Sequence, residues 1–130
     1  HPNMTNKANI YKYSENVINM SNYPDTQELL MAADILITDY SSAIFDYAYL
    51  KKPVLYYHFD DGQYKKGYFD YETMGFGEIL KAKDDLVSLV IEYIKSGCKM
   101  KEKYINRVDK FFTYKDANNC KRIHDEISKL

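Results

Sequence analysis

Between Ile35 and Tyr57 the chain changes its hydrophobic period twice. Ile35-Leu36-Ile37-Thr38 is an almost continuous apolar run, Ile44, Phe45, Ala48 and Tyr49 then recur at helical spacing, and Val54-Leu55-Tyr56-Tyr57 is apolar without a break again. Lys51-Lys52-Pro53 separates the last two, because the residue before a proline is pushed out of the α region. A strand, a helix and a strand in so short a span predict a parallel crossover, since a helical connection returns the chain to the same edge of the sheet. Unbroken apolar strands fit a sheet covered on both faces.

The flanks extend the alternation. Val17-Ile18-Asn19-Met20 reads as a short strand, and Asp25 or Thr26 with Glu28 has the spacing of a capped helix start for Leu29 to Ala33. Glu78-Ile79-Leu80 reads as a last strand, followed by a helix whose stripe is Leu86, Leu89, Val90, Tyr93 and Ile94 and which ends at Ser96-Gly97. Cys120, Ile123, Ile127 and Leu130 line one face of a closing helix, with Asp116 to Asn119 as its cap region. The pattern predicts an α/β fold, a Rossmann-like parallel sheet with helices on both faces, in a single domain over residues 1–130.

Length and charge narrow the classes of function. The chain has 130 residues, 45% of them hydrophobic, enough for one domain with a real core. Eighteen Lys and Arg against nineteen Asp and Glu leave a net charge of -1, so no overall basic field holds nucleic acid or an anionic membrane, and phosphate chemistry has to be local. Cys98 and Cys120 lie far apart with no metal-type spacing, and they read as reduced, cytosolic thiols. No apolar run approaches the roughly 20 residues of a membrane span. The polar opening run from His1, which lacks an initiating Met, reads as a loop entering a strand, so the chain is expected to be a fragment of a longer protein.

Two segments carry candidate chemistry. In open α/β sheets ligands sit at the carboxyl ends of strands, beside helix N-termini, and Thr38-Asp39-Tyr40-Ser41-Ser42 occupies that corner. Without glycines it cannot wrap a phosphate as a P-loop does, but two hydroxyls and first-turn amides can grip a diphosphate. The structural alternative is that Ser41 or Ser42 caps the helix while Asp39 bonds neighbouring amides. A receiver-type phosphoacceptor reading of Asp39 fails, because Lys52-Pro53 opens a strand where a receiver lysine closes a later one, and no acidic pair ends a first strand. The second segment is the stretch from His58 to Gly77, broken by Gly62, Gly67, Gly75 and Gly77; loops of this length are usually functional or mobile. His58 reads as a loop residue rather than a catalyst, and His124 as a surface or packed histidine.

Four blocks in order, His1-Pro2-Asn3, Leu29 to Tyr57, Tyr64 to Tyr71 and Tyr114 to Ile123, make the chain similar to the C-terminal part of the CDP-glycerol glycerophosphotransferase family, the teichoic acid polymerases and primases. The resemblance implies the donor-binding lobe of a two-lobed GT-B enzyme that transfers glycerol phosphate from CDP-glycerol to a polyol-phosphate acceptor and releases CMP. Implied partners are CDP-glycerol, a lipid-linked acceptor and a missing N-terminal lobe, at the inner face of the cell membrane; no cofactor, metal or nucleic acid is implied. His1 matches the family's functional histidine, as an imidazole donor to the diphosphate. Ser41 and Ser42 would hold phosphate or ribose oxygens, and Asp39 would orient the corner, since a carboxylate beside a diphosphate repels it.

Lys65 and Lys66 would neutralise phosphate before Gly67, where family members often carry an Arg; a Lys makes no bidentate fork. Met74-Gly75-Phe76-Gly77 stands where the family tends to a Pro-Gly-Pro-like turn. Asp116, Asn118 and Asn119 match an Asp-x-Asn pattern that would meet the nucleotide, or else cap the tail helix. Rival readings are the nucleotide-sugar lobe of a GT-B glycosyltransferase or UDP-sugar epimerase, and a non-catalytic nucleotide-binding domain. The acceptor and the choice of glycerol or ribitol phosphate stay open, as does primase against polymerase.

Overall fold

The computed structural model describes residues 14–60 and 67–130. The chain falls into two compact units, His1–Ala32 and Ala33–Leu130.

The described part of the first unit holds one helix, α1 (Thr26–Ala32). Asp25 starts it as the capping spacing predicts: its carboxylate accepts the amide hydrogens of Gln27 at 2.8 Å and Glu28 at 3.3 Å. The strand expected at Val17-Met20 is not formed. The backbone is satisfied instead by turns, Val17 N–H to Ser14 O at 2.9 Å and Tyr23 N–H to Met20 O at 3.0 Å, and both Val17 and Ile18 are exposed. Three apolar residues and an asparagine without a ladder to join have no reason to stay extended.

The second unit is built on a parallel sheet of β1 (Leu36–Thr38), β2 (Val54–Tyr57) and β3 (Gly77–Leu80), in the order β1-β2-β3. Leu36 pairs with Val54 and Val54 with Gly77, so β2 is central, and its Val54, Leu55 and Tyr56 are fully buried. Helix α2 (Ala43–Tyr49) makes the crossover between β1 and β2 and buries Ile44, Tyr47 and Ala48. The hydroxyl of Tyr47 donates to Ala33 O at 2.9 Å, and burial together with nearby Asp34 pushes its pKa up to about 12. Lys51, the first residue of the predicted Lys51-Lys52-Pro53 stop, leaves α2 in the left-handed region at φ 55.

Helix α3 (Lys83–Lys95) follows β3, and Gly97 at φ 77 ends it, as the Ser96-Gly97 signal predicts. Tyr93 of α3 donates to the Glu78 carboxylate of β3 at 3.0 Å, and burial, reinforced by that carboxylate, raises its pKa. Helix α4 (Glu102–Phe111) is not expected from the sequence pattern. Its Tyr104 and Val108 join Ala48, Phe76 and Met100 in the core, with Phe45, Phe69, Ile105 and Phe112 packed around them. Helix α5 (Asn119–Ile127) forms where predicted but buries no residue, and Ile123 and Ile127 are exposed. No helix among the described residues is long and apolar enough to cross a membrane.

Candidate functional site

The corner after β1 is built by a change of backbone duty. Thr38 is the last residue paired with β2, and from Ser41 onward the carbonyls accept helical bonds, Ile44 N–H to Ser41 O at 3.4 Å and Phe45 N–H to Ser42 O at 3.1 Å. The two serines divide the work. Ser41 Oγ accepts the Ala43 amide hydrogen at 3.2 Å, a local turn bond, whereas Ser42 stands at the N-cap position with helical φ and ψ and its side chain makes no capping bond. The capping alternative therefore accounts for the Ser41 hydroxyl and leaves that of Ser42, which is exposed, outside the helix start. With only seven residues α2 has a weak dipole, so side-chain hydroxyls matter more at this corner than the helix end does.

Asp39 is exposed, and its main-chain carbonyl is held by a residue the sequence reading leaves in the loop. His58, only 7% exposed, places Nε2 at 3.3 Å from Asp39 O. A carbonyl oxygen only accepts, so Nε2 carries the proton in this contact. The imidazole stacks on Tyr40 at 4.1 Å between centroids and meets the Tyr71 ring edge-on at 5.0 Å. Its own amide donates to Leu80 O at 2.8 Å, extending the β2–β3 ladder by one residue. Tyr40 adds a second tie through its hydroxyl, which donates to Asp60 O at 3.3 Å. Tyr56 sits below, buried, its hydroxyl accepting the Phe76 amide hydrogen at 3.1 Å; burial raises its pKa, only partly offset by that bond.

Lys65 and Lys66 lie outside the described residues, as does His1. Gly67 is described, and a Cβ added there would meet nothing within 4 Å. The stretch after it is anchored rather than loose: Phe69 packs edge-on against Phe45 of α2 at 5.1 Å, Phe76 is fully buried, and Arg107 of α4 donates to Gly75 O at 2.8 Å and Glu72 O at 2.9 Å. Asp70 closes a turn by accepting the amides of Glu72 and Thr73. A cleft of about 600 Å³ opens between this stretch and α4, lined by Tyr68, Thr73, Met74, Arg107, Lys110 and Phe111.

The third candidate group is committed internally. Both carboxylate oxygens of Asp116 accept from the Arg122 guanidinium, at 2.8 and 2.6 Å, and one also takes the Asn118 amide at 3.0 Å. Arg122 further donates to Asn119 Oδ1 at 2.8 Å and lies 4.2 Å over the Tyr114 ring. The guanidinium bonds, first among the causes, hold the Asp116 carboxyl at about 2, well below the usual carboxylate range. Asn118 sits at the N-cap of α5, yet its side chain makes no capping bond. Arg122, six residues on from Asp116, is the member of this group that the sequence reading misses. Among the described residues, Asp39, Ser41 and Ser42 make no hydrogen bond to this group. Among the described residues, no cluster of three His, Cys, Asp or Glu side chains could hold a metal ion.

Comparison with known proteins fits this geometry to a family. The chain is 47% identical over 105 residues to the minor teichoic acid biosynthesis protein GgaB of Bacillus subtilis, covering 80% of this chain and 12% of that protein. It is 35% identical over 136 residues to the teichoic acid poly(ribitol-phosphate) polymerase of Bacillus spizizenii, covering 98% of this chain and 20% of that one. Among solved structures, a variant of the wall teichoic acid polymerase TagF soaked with CDPG superposes with a TM-score of 0.70 at 29% identity, over 97% of this chain and 32% of that one. The chain thus spans a third or less of the length of these relatives. The family model described as CDP-glycerol:poly(glycerophosphate) glycerophosphotransferase runs over residues 1–129, and the chain belongs to that family.

Proposed function

We propose that this chain is the donor-binding lobe, the C-terminal half of a GT-B fold, of an enzyme that moves a polyol phosphate from its CDP-activated form to a polyol-phosphate acceptor. Membership of the family carries the reading, together with the Ser42 hydroxyl, which stands at a strand's carboxyl end without serving the helix it precedes. In this reading an acceptor hydroxyl attacks the glycerol-bearing phosphorus of CDP-glycerol. A new P–O bond forms, the bond to the bridging oxygen breaks, CMP leaves with that electron pair, and the acceptor's proton passes to a base in the part of the polypeptide beyond this chain. Transfer of this kind is mostly positioning and charge stabilisation. His1, Ser41 and Ser42 donate to the diphosphate or ribose, Lys65 and Lys66 neutralise phosphate charge near Gly67, and Asp39 orients the corner. Asp116 with its Arg122 partner shapes the approach to the nucleotide, where Asn118 and Asn119 offer amides. The acceptor is lipid-linked, so the whole enzyme works at the inner face of the membrane through segments outside this chain.

The serine pair tests this directly. Ser42→Ala in the full-length polypeptide is expected to weaken CDP-glycerol binding by on the order of 1 to 3 kcal/mol, up to about a hundredfold, with the melting temperature unchanged. Ser41→Ala is expected to lower stability by about 0.5–1 kcal/mol as well, because it also loses the Ala43 bond. Titration and thermal melts on both variants decide. Unchanged affinity in both, with stability lost only at Ser41, would reduce the corner to a capped turn.

A further inference from the structure

We propose that His58 is a positioning residue for the donor site: it sets the backbone of the Asp39–Ser42 corner by donating from Nε2 to the Asp39 carbonyl. The proposal rests on the donor-site reading of that corner. The Asp39 carbonyl belongs to a planar peptide unit, so fixing its direction also fixes the Tyr40 amide and the point from which Ser41 and Ser42 leave the strand. The imidazole can act as a fixed reference because it is itself held on every side. Its main chain continues the β2–β3 ladder through Leu80 O at 2.8 Å, and its ring lies between Tyr40 at 4.1 Å, Tyr71 at 5.0 Å and Tyr56 at 5.8 Å.

Packing alone does not ask for a histidine here. A phenylalanine would fill a cage of three tyrosines without bringing a polar edge into a site that is 7% exposed, where a polar group is favourable only when bonded. What the imidazole adds is a donor aimed at one carbonyl, and that carbonyl belongs to an exposed residue which could turn to water instead. Losing the bond therefore releases the corner more than it weakens the fold. The Tyr40 hydroxyl, which donates to Asp60 O at 3.3 Å, is a second tie between the corner after β1 and the segment after β2.

The experiment uses the full-length polypeptide with CDP-glycerol as probe. His58→Phe keeps the ring and removes the donor, and it is expected to weaken binding by about fivefold to thirtyfold while raising amide hydrogen exchange at residues 39–43 and leaving α4 and β2 protected. His58→Gln, whose amide nitrogen reaches the Nε2 position, is expected to restore binding to within about threefold of the parent. Equal loss in both variants, or no loss in His58→Phe, overturns the proposal. If His58→Phe does not fold, the imidazole nitrogen spectrum of the unsubstituted protein decides: Nε2 protonated is expected, and a neutral ring with its only proton on Nδ1 overturns it. An unsubstituted protein that fails to bind CDP-glycerol overturns the donor-site reading itself, and this proposal with it, an outcome distinct from loss in the variants alone.

Discussion

Gly77→Ala is expected to destabilise the fold by at least about 3 kcal/mol, the largest single-residue loss we anticipate outside the aromatic core. Gly77 opens β3 in register with Val54, and an added Cβ would sit 1.7 Å from the Val54 carbonyl oxygen and 2.6 Å from its carbon. Neither side can yield cheaply. Val54, Leu55 and Tyr56 are buried at the centre of the sheet, so relief requires β3 to part from β2, and with it the Leu80 carbonyl that holds His58. Gly67→Ala is the matched control, since its Cβ would meet nothing within 4 Å, and it is expected to stay within about 0.5 kcal/mol of the parent. Urea melts of both variants measure this. A Gly77→Ala protein as stable as the parent would mean that the strands do not approach this closely in solution.

The largest effect on turnover is expected at the other end of the chain. His1→Ala in the full-length enzyme should lower kcat for CMP release by about 10²- to 10³-fold, the size of losing one donor to developing negative charge, with little change in CDP-glycerol affinity. The expectation comes from the His1-Pro2-Asn3 match to the family motif, not from geometry, because residues 1–13 lie outside the described part. A raised KM with kcat intact would instead make His1 a ground-state binding group. A variant within about threefold of the parent in both constants would remove His1 from the site.

How much of the fold and the site can be read from the sequence depends on how local each signal is. The β1-α2-β2 unit could be read because its period changes, its Pro53 stop and its apolar strands all lie within one short stretch. The same reasoning over-reads Val17-Met20, whose apolar content is local but whose pairing would have to come from elsewhere. Helix α4 carries a signal that was there to find: Tyr104, Ile105, Val108, Phe111 and Phe112 recur at helical spacing, masked by the charged Lys101-Glu102-Lys103 start. At the site, Ser41, Ser42 and Asp39 stand out because they interrupt a strand-to-helix junction. His58 does not, because Tyr40 and Tyr71, which close around it together with the neighbouring Tyr56, lie far from it in sequence. Burial of a polar side chain by distant aromatics is a tertiary fact. The Asp116–Arg122 pair lies between these cases, near in sequence but formed only once α5 turns the arginine back.

The central claim is that the donor diphosphate docks at the corner after β1, and a crystal structure of the full-length enzyme soaked with CDP-glycerol tests it most directly. The expected result is a phosphate or ribose oxygen within about 3.2 Å of Ser41 Oγ or Ser42 Oγ, with the His58 bond to Asp39 O retained. CDP-glycerol ordered elsewhere, with no ligand atom within hydrogen-bonding distance of residues 39–42, would contradict it.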